Sequence, residues 1–182
     1  MKYLFLLLVV LLLSTFTSCD DDTAELSIYE GCCEGPGEYQ VGGAQLFIPN
    51  IFTANQDGIN DIFLVFASDT LQGVQLNDFE VEDLAGQQLF YRSSIIPNSV
   101  DSAWDGLKPN GEAYEGKFSF SLNVMDASGN ATEVVGSACV LTCESPVSIT
   151  AAASCAFGLQ HDGAGGFEPG LFPGEDGSNC IE

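Results

Sequence analysis

The segment Lys117–Asp126 constrains this chain more than any other: Phe118, Phe120, Leu122 and Val124 fall on one side of an extended backbone, Lys117, Ser119, Ser121 and Asn123 on the other. A period of two is what a strand with one dry and one wet face requires, and a helix cannot produce it. Ala127-Ser128-Gly129-Asn130 supplies turn residues, and Val134 to Thr142 is expected to return as the antiparallel partner. Phe79-Glu80-Val81-Glu82 alternates in the same way, and Ala85-Gly86-Gln87 separates it from Leu89-Phe90-Tyr91, predicting a hairpin with strands near 77–84 and 87–93. Ile62 to Phe66 adds a compact apolar run. With no helical period in the mature chain, short strands joined by Gly, Asn and Pro turns predict an all-β fold, an antiparallel β-sandwich of immunoglobulin or fibronectin type III style. Trp104, the single tryptophan, lies in the loop Ile95–Lys108 and is expected to plug one end of the core; its alternative use is stacking on a carbohydrate.

The N-terminus reads as an export signal. Met1-Lys2 precedes an apolar run from Tyr3 to Leu13, too short to span a bilayer, and Phe16-Thr17-Ser18-Cys19 resembles a bacterial lipobox. Residues 1–18 are therefore read as a lipoprotein signal peptide, with Cys19 lipidated and inserted in outer-membrane lipid. The chain's formal net charge is −22, and after the signal 26 acidic side chains face only Arg92, Lys108 and Lys117. Nucleic acid would be repelled by such a surface, whereas divalent cations would not.

Export to an oxidising compartment also sets the reading of the cysteines. With Cys19 lipidated, six remain, an even number that predicts three disulfides rather than a zinc site, since the chain has one histidine. Cys32 and Cys33 are adjacent and cannot readily bridge each other, and Cys139 and Cys143 on one extended strand would stand about 13 Å apart. The expectation is that Cys32 and Cys33 bridge to Cys139 and Cys143, with the assignment within that set open, and that Cys155 pairs with Cys180. Residues 19–44 read as an acidic, Gly-rich tether, 45–143 as the sandwich and 144–182 as a disulfide-tied irregular tail, with Val147–Ala153 as one further candidate strand.

The segment Phe47 to Phe63 carries the strongest candidate site. Thr53, Asn55, Asp57 and Asp61 place oxygens around Gly58 with spacing close to that of calcium loops, and the carbonyl of Ile59 could add another. Position 12 would be Leu64, so the bidentate acid of an EF-hand is missing. Two readings stay open: a weak calcium site at Asn55, Asp57, Ile59 and Asp61, or side chains that cap the N–H groups of the turn. A second acidic group, His161-Asp162, Glu168 and Glu175-Asp176, lies in the tail, as a calcium or ligand site or as a solvated loop.

The same segment, Pro49-Asn50 and Phe52-Thr53 followed by Asn55-Gln56-Asp57-Gly58-Ile59-Asn60-Asp61-Ile62-Phe63, resembles the opening of the gliding motility-associated C-terminal domain of Bacteroidetes, the type B sorting domain of the type IX secretion system. Trp104-Asp105-Gly106, Gly111 with Tyr114, and Gly136 to Leu141 match later landmarks in order, over about residues 46–143. The resemblance implies a β-sandwich linked to surface export, in a domain that ordinarily ends its chain. Asp20-Asp21-Asp22 resembles the export signal by which Bacteroidetes lipoproteins reach the outer leaflet of the cell surface.

Catalysis finds little support. His161 is the lone histidine, no Gly-x-Ser-x-Gly elbow accompanies it, and no phosphate-cradling glycine loop is present. The expected function is a non-catalytic surface lipoprotein whose sandwich serves adhesion, assembly or ligand binding, with a surface protein or glycan as partner. A sorting domain and a small hydrolase are the alternatives.

Overall fold

The computed structural model describes residues 28–34, 37–41, 43–68, 73–142 and 155–171. Cys19, the acidic triad Asp20–Asp22, Val147–Ala153, Cys143 and Cys180 lie outside the described residues, and so does the Glu175-Asp176 part of the tail group.

Among the described residues, eight strands form two sheets. β1 (Glu38–Val41), β2 (Ala44–Phe47) and β4 (Phe66–Ala67) make the smaller, in the order β1-β2-β4. The larger has the order β3-β8-β7-β5-β6, from β3 (Ile51–Thr53), β5 (Gln75–Glu82), β6 (Gln88–Ile95), β7 (Gly116–Met125) and β8 (Ala131–Leu141). The period-two segment is the middle strand of that sheet. Its partner is the expected one, with Phe118 opposite Ala138 and Leu122 opposite Val134. The hairpin predicted near 77–93 is β5–β6, with Val81 opposite Phe90. One pairing breaks the antiparallel rule: β3 runs parallel to β8, Phe52 opposite Val140. The run Ile62–Phe66 is mostly not strand; Phe63 makes an isolated bridge to Trp104, and pairing resumes only at Phe66.

Alternation along the strands fills the space between the sheets. Leu46, Ile48, Val65 and Ala67 come from the small sheet and its flanks, and Phe79, Val81, Phe118, Phe120, Leu122 and Val124 from the large one. Trp104 is 1% exposed, packs edge-on against Phe118 at 5.1 Å and donates its Nε1 hydrogen to the carbonyl of Leu107 at 2.8 Å. It plugs the core as expected. A ring so enclosed offers no face to a sugar.

Two further layers sit outside the sandwich. Ile51 and Leu141 point away from the core that holds Phe52 and Val140, and join a second cluster with Tyr29, Cys33, Cys155 and Phe157. Two disulfides fasten it. Cys32 bridges Cys139 across 5.7 Å between Cα atoms, within the expected set, but Cys33 bridges Cys155 across 4.5 Å. The expected Cys155–Cys180 pairing is therefore corrected, as is any pairing of Cys33 with Cys143. The tail folds back over the outer face of β3 and β8, where the turn carrying Cys32 and Cys33 also lies, so Cys155 meets its partner there rather than closing a local loop.

The stretch 19–44 is not wholly a tether, because Tyr29 is buried and β1 pairs in full with β2 from Glu38 to Val41. On the other outer face, Phe47 and Phe66 lie opposite each other on β2 and β4 and are covered by the tail. Phe167 stacks on Phe47 at 5.8 Å and the His161 ring on Phe66 at 4.4 Å. Gly165 permits this approach: with φ +85°, a Cβ there would stand 2.2 Å from the carbonyl oxygen of Gln45.

Candidate functional site

Residues 53–61 form a loop held by its own polar groups. Thr53 donates its N–H to the Asn60 carbonyl at 3.0 Å and its hydroxyl to the Ile59 carbonyl at 3.2 Å. Asp61 closes the other side: one carboxylate oxygen accepts the N–H of Gln56 at 2.6 Å, the other that of Gly58 at 2.7 Å. Asp57 accepts the Ile59 N–H at 2.8 Å and the Asn55 side-chain amide at 3.1 Å, and the Asn55 carbonyl oxygen accepts the Asp57 N–H at 3.3 Å. Gln56, Gly58 and Asn60 all have positive φ, the geometry that lets the chain fold around these oxygens. Asn55, Asp57, Ile59 and Asp61 are thus brought together, and every oxygen of the two carboxylates accepts a hydrogen bond from within the loop. Among the described residues, no group of three or more His, Cys, Asp or Glu side chains is arranged to hold a metal ion.

Asn60 ties the loop to the tail by accepting the Leu159 N–H at 3.2 Å. Between the two runs a groove of about 260 Å³, lined by Ile62, Leu64 and Phe66 together with Asn60, Asp61, Leu159 and His161. A second hollow of about 360 Å³ shares Gly58, Asp61 and Ile62 and extends to Gln56, Asp105 and Leu107. Asp61 and Ile62 therefore separate two open depressions, an arrangement suited to holding a ligand with an apolar body and polar edges.

His161 is positioned by its stack on Phe66 and by Nδ1, which accepts the Gly163 N–H at 3.0 Å, so Nε2 carries the proton of the neutral ring. The neighbouring acids do not converge with it on one point. Asp162 caps the N–H groups of Gly166 and Ala164, which hold its carboxyl below the ordinary carboxylate range, with His161 adding to the effect. Glu168 caps Gly170 at 3.0 Å.

Asn50, known from the sequence only as a landmark of the family resemblance, is 4% exposed. It donates its N–H to the Ala156 carbonyl at 3.0 Å and accepts the Ala156 N–H on its side-chain oxygen at 2.7 Å, while its own carbonyl accepts the Cys139 N–H. This one residue joins loop, sheet and tail. Its partner lies 106 positions away, beyond any local pattern.

No protein-family profile matches the chain, and a search of curated proteins gives no match either. Among solved structures, the crystal structure of CopC from Methylosinus trichosporium OB3b is similar at 12% identity, over 52% of this chain and 85% of that one, with a TM-score of 0.33. So loose a likeness carries no argument about chemistry.

Proposed function

We propose that this is a non-catalytic, lipid-anchored protein of the cell surface whose β-sandwich binds a ligand or partner, serving adhesion or assembly. The observation that carries the reading is the groove between residues 58–66 and the tail, an apolar floor with polar edges whose histidine is occupied in packing. Ring stacking and the Gly163 hydrogen bond engage His161 as a wall, and the nearby carboxylates are engaged as caps, which favours holding a ligand over turning one over. Anchoring rests on Cys19 and display on Asp20–Asp22, both read from the sequence. A sorting role for the sandwich is the weaker reading, because the resemblance implies a domain that ends its chain, whereas here residues 155–171 are fastened back onto it.

Leu159 is 52% exposed on the groove wall, so Leu159→Glu changes the groove with little effect on folding. Outer-membrane extracts passed over the mature wild type and over this variant should differ in one captured protein or glycan, retained only by the wild type. Identical capture by both, or steady turnover of any ester, peptide or glycoside substrate, would sink the proposal. For the anchor, Cys19→Ala should release the protein from membranes; a variant still bound there, with unchanged mature mass, contradicts lipidation.

A further inference from the structure

We infer that β6 is an open docking edge that takes up an extended, basic segment of another protein as a sixth strand of the large sheet. Among the described residues β6 ends the strand order, so one of its sides has no partner strand there. Tyr91, Arg92, Ser93 and Ser94 are all exposed. Successive strand residues face opposite sides, so four exposed in a row means that no described element covers residues 91–94 on either face, while Leu89 and Ile95 anchor the strand in the core. The other sheet ends differ. β3 is three residues long and buried throughout, β4 has two residues, and at β1 the Glu38 side chain accepts the N–H of Phe167 from the tail.

Native sheets blunt long edges with prolines, bulges, lysines or short length. β6 has eight residues, no proline and no lysine, and its one register irregularity with β5 sits near the hairpin turn, while Phe90, Tyr91, Arg92, Ser94 and Ile95 keep one register. Apolar side chains gather beside it. Of the eight large apolar residues that are exposed among the described residues, Leu84, Tyr91, Ile96 and Val100 all belong to this hairpin and its exit, so the area around the edge can bury surface on contact.

Charge selects the occupant. Tyr91 donates its hydroxyl to Asp78 at 2.7 Å, and Glu80 lies opposite Tyr91 on β5, so acids stand one strand inside the edge. A long basic side chain on an added strand can cross Tyr91 to reach them. A second copy would bring the same acids and a net charge of −22 against its twin, which opposes self-pairing. Main-chain hydrogen bonds would hold such a segment and its alternate side chains would set specificity, as in other strand additions.

The test uses the mature protein and an eight-residue peptide of alternating lysine and valine. Two versions of the peptide are N-methylated on alternate amides in the two phases, and a glutamate–valine peptide serves as a charge control. Amide hydrogen exchange should slow at every second residue of β6 on adding the unmodified peptide. One methylated phase should bind about tenfold or more weakly while the other binds as the parent does, since only one set of amides faces β6. The glutamate peptide should not bind. Equal affinity for both methylated peptides, or slowed exchange confined to residues outside β6, overturns the proposal. Protection of β6 that grows with protein concentration and no peptide identifies a second copy and overturns it equally. Leu159→Glu should leave the peptide's affinity unchanged, so failure here and failure of the groove reading are distinguishable.

Discussion

Removing the Cys33–Cys155 bridge with the paired change Cys33→Ala and Cys155→Ala measures how firmly the tail and the N-terminal turn are held. The bridge joins residues 122 apart, and a closure of that length acting alone restricts the unfolded chain by about 5 kcal/mol. It does not act alone. Cys32–Cys139 already closes most of the same circuit over a separation of 107, so the second bridge adds only the ring from 139 to 155 and back through 32 and 33. A ring of that size, about seventeen residues, contributes about 3 kcal/mol. Either bridge removed singly should therefore cost about 3 kcal/mol, while removing both also opens the long circuit and should cost about 8 kcal/mol, roughly 2 more than the two losses added. In urea, with a slope of about 2 kcal/mol per molar, each single-bridge loss lowers the midpoint by about 1.5 M. Trimethylamine N-oxide in every sample keeps the variant lacking both bridges measurable. Single losses near 5 kcal/mol, or a combined loss equal to their sum, would refute the shared-circuit reasoning.

Three other outcomes rest on the hydrogen bonds. Asp61→Ala leaves the Gln56 and Gly58 N–H groups without their cap and should cost about 1–2 kcal/mol, equally with calcium and with chelator; Asp57→Asn should likewise lower the melting temperature by the same amount in both, and calorimetry showing either loss only with calcium would replace the caps by a metal site. Asp126 accepts the Asn130 side-chain amide and the N–H groups of Asn130 and Ser128, bonds that hold its carboxyl below the ordinary value of 3.8. A depressed folded pKa gives stability that is present above the unfolded value and lost as pH falls through the folded one. Melting temperature should therefore drop below about pH 4 less steeply in Asp126→Asn than in the wild type, and parallel acid limbs would contradict the assignment.

Much of the sandwich was legible because its strands announce themselves locally. Phe118 to Val124 and Phe79 to Val81 state both their extended conformation and the face they bury, and the turns at 83–87 and 126–130 carry the residues such turns need. What stayed hidden depends on contacts between remote segments. β3 has only Ile51, Phe52 and Thr53, too few for periodicity, and its parallel pairing follows from where β8 returns. β1 was concealed within a Gly-rich stretch, because Glu38-Tyr39-Gln40-Val41 acquires its role only by pairing with β2. Cysteine spacing pointed to Cys32–Cys139 as one of its alternatives but wrongly paired Cys155 with Cys180, because the partner of Cys155 is chosen by how the tail crosses the sheet. In the candidate site, Asn55, Asp57 and Asp61 were found from their spacing, whereas Phe66 and Leu159 were not, since the groove exists only once the tail has docked.

Adjacent cysteines with separate destinations also decide how the molecule behaves when it is pulled. With Cys19 as the anchor, nine steps of chain lead to Ile28, whose carbonyl accepts the Lys117 N–H, a reach of about 30 Å at full stretch. Beyond that point tension arriving along the chain does not continue into β1, the next strand in sequence and an end strand of the small sheet. It leaves the backbone at Cys32 and enters β8, which is hydrogen-bonded on both sides between β3 and β7. Load arriving from that end would meet the interior of the large sheet before it meets β1.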